Sequence, residues 1–236
     1  MGRGRQVKVQ RVVTGVYWLP LGTVNAYIIE AEDGLILIDT GTPGSAPAIV
    51  EGIQAIGHSP SDLKTILLTH GHPDHVGGTA ALKREVPHVK IYISEVDAPI
   101  VEKGQPQRPL TATPGFMNKL LFRLFIRETP IETFPIDGYL KANDTLSFAA
   151  GLQTIPAPGH SAGQFALLLP KQGGVMFAAD AAANMMGLGW SIGHENFPQA
   201  KQDLIRLGKA EFDVACFGHG KPLRAKASQK FRATWS

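Results

Sequence analysis

Residues 65–78 read TILLTHGHPDHVGG, an apolar run that ends in three histidines and an aspartate. The apolar part, TILLTH, is typical of a short strand that is buried on both faces. His70 and His72 lie two residues apart on the turn that leaves this strand, so both imidazoles can face one ion. Asp74 and His75 follow where the chain enters a helix, and they can face a second point nearby. Imidazole and carboxylate ligands together predict zinc, with iron and manganese as alternatives.

A solvated loop with histidines gathered by chance is the alternative interpretation of this stretch. The chain has 8 histidines in 236 residues. One pair of histidines would leave both interpretations open. Three histidines and an aspartate in the order H-x-H-x-D-H, with glycines on both sides, favour a metal site.

A strand–helix–strand pattern with polar ends occurs twice along the chain. In the first half LILID ends in Asp39, a helix follows, and the next strand ends in His70. In the second half VMFAAD ends in Asp180, a predicted helix follows, and VACFGH ends in His219. Polar residues at the ends of such strands lie along one edge of a sheet. Two such units predict an α/β fold, a four-layer αβ/βα sandwich with two mixed β-sheets face to face and a polar seam.

The second half contains the further ligands that two metal ions need. His160 lies in APGHSAG, on a loop after the strand LQTIPA, and it joins Asp180 and His219 at strand ends. Taken singly, these residues have structural explanations as a turn residue, a helix cap and a buried imidazole. Together with the first motif they predict two divalent metal ions. His194, in the loop after Asp180, is a candidate substrate contact.

Composition indicates an ordinary soluble globular protein. Apolar residues make up 44% of the chain and charged residues 18%, and no linker or low-complexity tract divides it, so we expect one domain over residues 1–236. The formal charge is +3, part of it in the N-terminal run MGRGRQVKVQR. That run is typical of a solvated tail rather than a nucleic-acid contact. We therefore expect a small-molecule substrate and no nucleic-acid partner.

Location is predicted from apolar segments and cysteine content. The longest apolar stretch, LLFRLFI, is too short to span a bilayer, so no membrane association is expected. Cys216 is the only cysteine, which rules out an intrachain disulfide and a thiolate zinc cluster. These features fit the cytoplasm, with an exported protein whose signal was removed as the alternative.

The motifs THGHPDHVGG, PGHSAG, FAAD and FGHG resemble those of the metallo-β-lactamase-fold hydrolase superfamily, and LIDTG resembles its early aspartate motif. The resemblance implies two three-ligand sites: His70, His72 and His160 at one metal, and Asp74, His75 and His219 at the other. It also implies that Asp180 bridges the two metals. Asp39 matches a position that supports the metal loop by orienting a ligand.

Branches of the superfamily differ at the same positions. An aspartate at position 180 resembles glyoxalase-II-like thioesterases and N-acyl homoserine lactonases, whereas zinc β-lactamases usually have cysteine or serine there. His72 argues against flavodiiron oxygen reductases, which have glutamate at that position. The chain ends soon after His219, so we do not expect the C-terminal helical domain with which glyoxalase II binds glutathione.

The resemblance therefore predicts a dinuclear zinc hydrolase that attacks an ester, lactone or thioester carbonyl with a hydroxide bridging the two metals. Asp74 would orient the nucleophile and pass on its proton. A β-lactam or phosphoester hydrolase on the same site is one alternative. A mononuclear-iron enzyme similar to persulfide dioxygenases is another.

Residues 99–130 predict an insertion that caps the site. Its start is rich in proline, and GFMNKLLFRLFIRE is compatible with a helix whose apolar face contains Phe116, Leu120, Leu121, Leu124 and Phe125. Phe116 and Leu120 are candidate substrate contacts. Basic residues outnumber acidic ones in the insertion: Lys103, Arg108, Lys119, Arg123 and Arg127 against Glu102 and Glu128. A lid over a long-chain acyl or lactone substrate is one interpretation, and a helix that packs on the core or on a second subunit of a homodimer is the other.

Overall fold

The computed structural model describes residues 8–126 and 129–236. The strands are β1 (Gln10–Val13), β2 (Val16–Pro20), β3 (Asn25–Ala31), β4 (Gly34–Ile38), β5 (Leu63–Leu67), β6 (Lys90–Ser94), β7 (Thr111–Ala112), β8 (Gly138–Leu140), β9 (Thr145–Leu146), β10 (Leu152–Pro156), β11 (Phe165–Leu169), β12 (Val175–Phe177), β13 (Gly193–His194) and β14 (Val214–Cys216). The helices are α1 (Ala46–Ala55), α2 (Pro73–Val76), α3 (Thr79–Glu85), α4 (Ala98–Glu102), α5 (Phe116–Phe125), α6 (Phe197–Leu207) and α7 (Ala227–Thr234). Arg3, Arg5, Arg127 and Glu128 lie outside the described residues.

Both large sheets repeat one topology. The first has the order β1-β2-β3-β4-β5-β6-β8 and the second β14-β12-β11-β10-β9. In the first, β3 pairs antiparallel with β4 and β4 pairs parallel with β5. In the second, β11 pairs antiparallel with β12 and β12 pairs parallel with β14. Because parallel strands end at the same edge of a sheet, the residues that follow β4, β5, β12 and β14 lie at sheet edges, as the repeat predicts.

The first sheet has apolar residues on both faces because its central strands are buried on both sides. On β4, Leu35 and Leu37 face the layer of helices α1, α3 and α4, and pack in one cluster with Ile49 of α1. The alternate residues Ile36 and Ile38 face the second sheet. A strand with a period of two therefore supplies two cores at once.

The second sheet is arranged in the same way. Leu167 and Leu169 of β11 face the first sheet, whereas Leu168 packs against the helix layer with Leu204 of α6 and Phe231 of α7. Three apolar clusters therefore separate four layers, helices–sheet–sheet–helices. The predicted four-layer α/β sandwich is confirmed.

The elements of the second half agree in part with the prediction. The helix predicted between Asp180 and the strand that ends in His219 is present as α6, and Asp180 itself lies in a short 3-10 turn at Ala179–Ala181. The hairpin of β1 and β2 was not predicted, and neither was the helix α7, whose sequence ASQKFRAT has few apolar residues. In the described residues, no helix combines the length and the apolar composition that a bilayer crossing needs.

Candidate metal centre

The seven predicted ligands meet where the edges of the two sheets come together. His70 and His72 follow β5, and Asp74 and His75 lie in the single turn of α2, which begins with Pro73. Proline suits this first helical position because its fixed φ favours the helix and its missing N–H needs no partner there. The remaining ligands, His160, Asp180 and His219, follow β10, β12 and β14.

Three imidazoles form the first group of ligand atoms. His72 Nδ1 lies 3.1 Å from His70 Nε2 and 3.0 Å from His160 Nε2. All three side chains are buried. The other ring nitrogens of two of them have partners, since His70 Nδ1 lies 2.9 Å from the Thr69 hydroxyl and His160 Nδ1 lies 2.7 Å from the Gly193 carbonyl. These contacts fix the rings so that three nitrogens converge.

Asp74, His75 and His219 form the second group. His219 Nε2 lies 3.3 Å and His75 Nε2 3.8 Å from Asp74 Oδ2. The outer nitrogen of each ring is again held, His75 Nδ1 at 2.8 Å from Asp39 Oδ2 and His219 Nδ1 at 2.7 Å from the Thr23 carbonyl. In each group the candidate ligand atoms lie within 4.8 Å of one another.

Asp180 lies between the two groups. Its Oδ2 is 3.2 Å from His219 Nε2 and 3.6 Å from His160 Nε2, and its Oδ1 is 3.5 Å from His75 Nε2. Among the described residues, the buried atoms His75 Nε2 and Asp180 Oδ1 have no hydrogen-bond partner. Buried polar atoms without partners are costly and rare. Converging donors of this kind, five imidazoles and two carboxylates, fit divalent metal ions.

Burial controls the charge of the first group. It lowers the pKa of His72 and of His160 to about 4, and that of His70 well below 6.5, with neighbouring imidazoles adding to the effect on His70. A buried cation is costly, and each further charge beside it would add repulsion. The three rings are therefore neutral at pH 7, the form in which imidazole binds metals.

Carboxylates control the second group. Burial acts to lower the pKa of His75, but Asp180, Asp74 and Asp39 outweigh it and raise the value to about 9. Burial acts to raise the pKa of Asp74, but His75 and His219 bring it below its ordinary value. This half of the site therefore keeps its carboxylates ionised and favours positive charge, which a divalent ion supplies.

Asp39 orients the second group through the ring nitrogen of His75 that faces away from the other ligands. Its Oδ1 accepts the Thr69 N–H at 2.8 Å, and its Oδ2 accepts the Thr69 hydroxyl at 2.9 Å beside His75 Nδ1. Its φ of +57° is left-handed, a conformation that aspartate and asparagine tolerate better than most residues. One carboxylate thus holds both the end of β5 and the ring of His75.

We expect Asp39→Ala to lower affinity for the ion at Asp74, His75 and His219 by roughly 10- to 100-fold, because the ring of His75 loses the acceptor that orients it. Competition with a chromophoric chelator measures this affinity. Asp39→Asn keeps an acceptor and tolerates the left-handed φ, so a smaller loss is expected. Unchanged metal affinity in Asp39→Ala would show that Asp39 supports the backbone alone.

Gly218 allows the two halves of the site to approach. A Cβ at this position would collide with the Asp180 carboxylate and with the ring of His75. The Gly218 carbonyl also accepts the N–H of Asn25 at 2.8 Å. Only glycine permits this close passage of backbone against the ligands.

A cavity of about 370 Å³ opens onto the ligands. His72, Asp74, His160, Asp180 and His219 contribute to its lining. Its other walls are largely apolar and include Leu110, Leu121, Phe125, Ile126, Met185 and Ile192. Such a cavity suits a small molecule with an apolar part next to the metal site.

None of the three residues predicted to contact the substrate, Phe116, Leu120 and His194, lines the cavity. The predicted helix is present as α5, but Phe116 is 83% and Leu120 42% exposed, and neither lines the cavity. Leu121 and Phe125, one helical turn apart, line it instead. His194 is fully buried behind His160, with ring centroids 5.8 Å apart, because the pairing of β13 with β7 turns it inward.

Two residues that support the ligand-bearing loops were not identified from the sequence. Asp97 follows β6 and accepts the Gly71 N–H at 2.8 Å, between the ligands His70 and His72. Asn25 begins β3 and donates to the carbonyls of residues 217 and 220, on either side of the β14 loop. Both residues lie at the sheet edge where the ligands lie. The rule that polar residues at strand ends gather along one edge of a sheet could therefore have identified them.

Comparison with known proteins agrees with the fold. The family model described as Metallo-beta-lactamase superfamily matches residues 19–219. YobT of Bacillus subtilis is 30% identical over 246 residues, covering 97% of each chain, and the probable metallo-hydrolase YflN of the same organism is 34% identical over 181 residues, 71% of this chain and 64% of that one. The N-acyl homoserine lactonase of a Bacillus species is 24% identical over 66% of this chain and 62% of its own. The crystal structure of BJP-1, a subclass B3 metallo-beta-lactamase of Bradyrhizobium japonicum, superposes with a TM-score of 0.70 at 21% identity, covering 96% of this chain and 90% of that one. The chain therefore belongs to the metallo-β-lactamase superfamily.

Proposed function

We propose that the protein is a hydrolase that uses two divalent ions to attack the carbonyl of a lactone or ester with an apolar substituent. Zinc is the first candidate for both ions. The observation that carries this proposal is the position of Asp180, which joins two three-ligand groups beside a largely apolar cavity. A thioester of similar shape presents the same carbonyl and belongs to the same substrate class.

Two divalent ions in these groups would supply a hydroxide at neutral pH and an electrophile for the carbonyl oxygen. Asp74 faces the cavity with 38% of its side chain exposed, and its carboxylate would orient a water molecule and receive its proton. Cys216 is fully buried and its pKa is raised by burial, so it does not serve as a nucleophile. The proposed chemistry thus rests on the metal ligands, Asp74 among them.

The cavity walls favour an uncharged substrate. Among the described residues that line it there is no lysine or arginine. Burial of an acyl or alkyl chain against Leu121, Phe125 and Ile126 contributes binding free energy. The carboxylate of a β-lactam would have no lysine or arginine to pair with among the described lining residues. The likeness to an N-acyl homoserine lactonase supports the lactone branch.

We expect kcat/KM to rise with substrate chain length, because each buried CH₂ contributes about 0.8 kcal/mol, or about fourfold. Leu121→Ala should flatten this rise. Leu124→Ala is the matched control, since Leu124 lies on the same helix, is 54% exposed and does not line the cavity. Steady-state kinetics over a series of lactones from short to long acyl chains measure both slopes. Equal slopes in the two variants would mean that the cavity wall does not contact the chain.

A hydrolysis panel tests the reaction class. Lactones, thioesters, aryl esters, phosphotriesters, phosphodiesters and β-lactams are assayed with the same zinc-loaded protein. Turnover of lactones or esters well above the others is expected. Preferred cleavage of phosphoesters or β-lactams, or oxygen consumption with a glutathione persulfide by an iron-loaded form, would replace the proposal by one of its alternatives.

A further inference from the structure

Arg108, in the insertion between α4 and β7, binds three side chains at once. Its Nε donates to both oxygens of Glu195 at 2.9 and 3.0 Å. Its Nη2 donates to the Ser161 hydroxyl at 3.0 Å and to Asp97 Oδ1. The planar guanidinium fork is suited to holding two carboxylates in fixed positions.

Asp97 carries this contact to the first metal-binding loop. It is fully buried, and its Oδ2 accepts the Gly71 N–H at 2.8 Å and the Ser161 hydroxyl at 2.9 Å. Gly71 lies between the ligands His70 and His72. The position of that loop therefore depends on a carboxylate whose charge Arg108 balances.

Glu195 and Ser161 carry the contact to the loop of His160. The Glu195 N–H donates to the His160 carbonyl at 3.0 Å, and Glu195 Oε2 accepts the Ala162 N–H at 3.2 Å. Ser161 directly follows His160. One arginine thus joins both loops that carry the first group of ligands.

The same part of the insertion also forms a wall of the cavity. We call residues 107–113 the clamp segment: Gln107 and Leu110 line the cavity, and β7 pairs with β13, Ala112 opposite Gly193. The Gly193 carbonyl is the acceptor that orients His160 Nδ1 at 2.7 Å. Cavity wall and ligand orientation therefore share one short stretch of chain.

We infer that Arg108 is a positioning residue that couples the clamp segment to the ion held by His70, His72 and His160. This inference rests on the proposed metal centre. Ion binding tightens the loops that Arg108 joins and so orders the clamp segment, and an ordered clamp segment strengthens ion binding by the same factor, because such coupling is reciprocal. Substrate would then meet a formed cavity wall only in the metal-loaded protein.

Hydrogen–deuterium exchange of the clamp segment with and without zinc, together with zinc affinities from chelator competition, tests the inference. In the wild type we expect slower exchange at residues 107–113 on zinc binding. Arg108→Met should weaken one of the two ions roughly 10- to 100-fold, the range for residues that support a ligand. It should also remove the zinc-dependent protection even at saturating zinc.

The matched control is Arg84→Met. Arg84 pairs with the exposed Glu132, and this pair touches neither metal-binding loop, so wild-type affinities and protection are expected. Glu195→Gln, which keeps the shape of the side chain and removes its charge, provides a second variant if Arg108→Met does not fold. Its expected effect is an intermediate loss of both affinity and protection.

Three outcomes would overturn the inference, and they differ in what else they affect. Wild-type protein that binds two zinc ions without any change in exchange at the clamp segment overturns the coupling alone, as does wild-type affinity in both Arg108→Met and Glu195→Gln. Wild-type protein without zinc affinity overturns the proposed function together with the inference.

Discussion

Asp180→Asn is expected to lower kcat/KM by roughly 10³-fold or more while the fold persists. The substitution removes the negative charge that lies within 3.6 Å of the imidazoles of His75, His160 and His219 and that joins the two ligand groups. Metal ions contribute several kcal/mol of transition-state stabilisation, and about 4 kcal/mol corresponds to roughly 10³-fold. Steady-state kinetics and elemental analysis of the same preparation measure activity and metal content together.

Asp137→Asn is the control for the loss of a carboxylate. Asp137 pairs with Lys83 and Lys90 beside β6, away from the ligands, so only a small change in stability is expected. Circular dichroism shows whether both variants keep the fold. An Asp180→Asn protein with wild-type activity and two bound ions would exclude a bridging role for this carboxylate.

Removal of metal by a chelator is expected to abolish activity and to lower the unfolding temperature by roughly 10 °C. An ion present at 1,000 times its dissociation constant stabilises the folded state by about 4 kcal/mol, and each kcal/mol shifts the midpoint by about 2–4 °C in a chain of this size. Differential scanning calorimetry of chelated and zinc-loaded protein measures the shift. Readdition of zinc should restore both activity and unfolding temperature at two ions per chain.

The stoichiometry distinguishes the dinuclear site from its mononuclear alternative. Titration of chelated protein with zinc should continue to raise activity up to the second equivalent, because the two three-ligand groups share no residue and Asp180 lies within 3.6 Å of ligands from both. Full activity at one ion per chain would instead mean that the second group acts through its own charged side chains.

Much of this architecture follows from local sequence patterns. A short apolar strand that ends in a polar residue places that residue at a sheet edge, whatever the rest of the chain does. Asp39, His70, Asp180 and His219 obey this rule, and the parallel pairs β4–β5 and β12–β14 bring them together. The layers follow from the period of two in strands such as β4.

Local sequence patterns do not predict contacts that depend on the rotation of a helix about its axis or on the pairing of segments that lie far apart in the chain. The helix α5 has apolar residues around most of its surface, so its sequence does not indicate that Leu121 rather than Phe116 faces the cavity. His194 is turned inward by a two-residue strand whose partner lies more than 80 residues earlier. The network of Arg108 is of the same kind, since Asp97, Ser161 and Glu195 come from three separate loops.

The division of the ligands between the two halves of the chain has a consequence for biosynthesis. His70, His72, Asp74 and His75 leave the ribosome first, while His219 follows well over a hundred residues later. At roughly 15 residues per second the nascent chain exposes an incomplete set of ligands for about ten seconds. Full metal loading must therefore wait until β14 has joined β12, and a chain that stalls before this strand is synthesised would carry histidines without a finished centre.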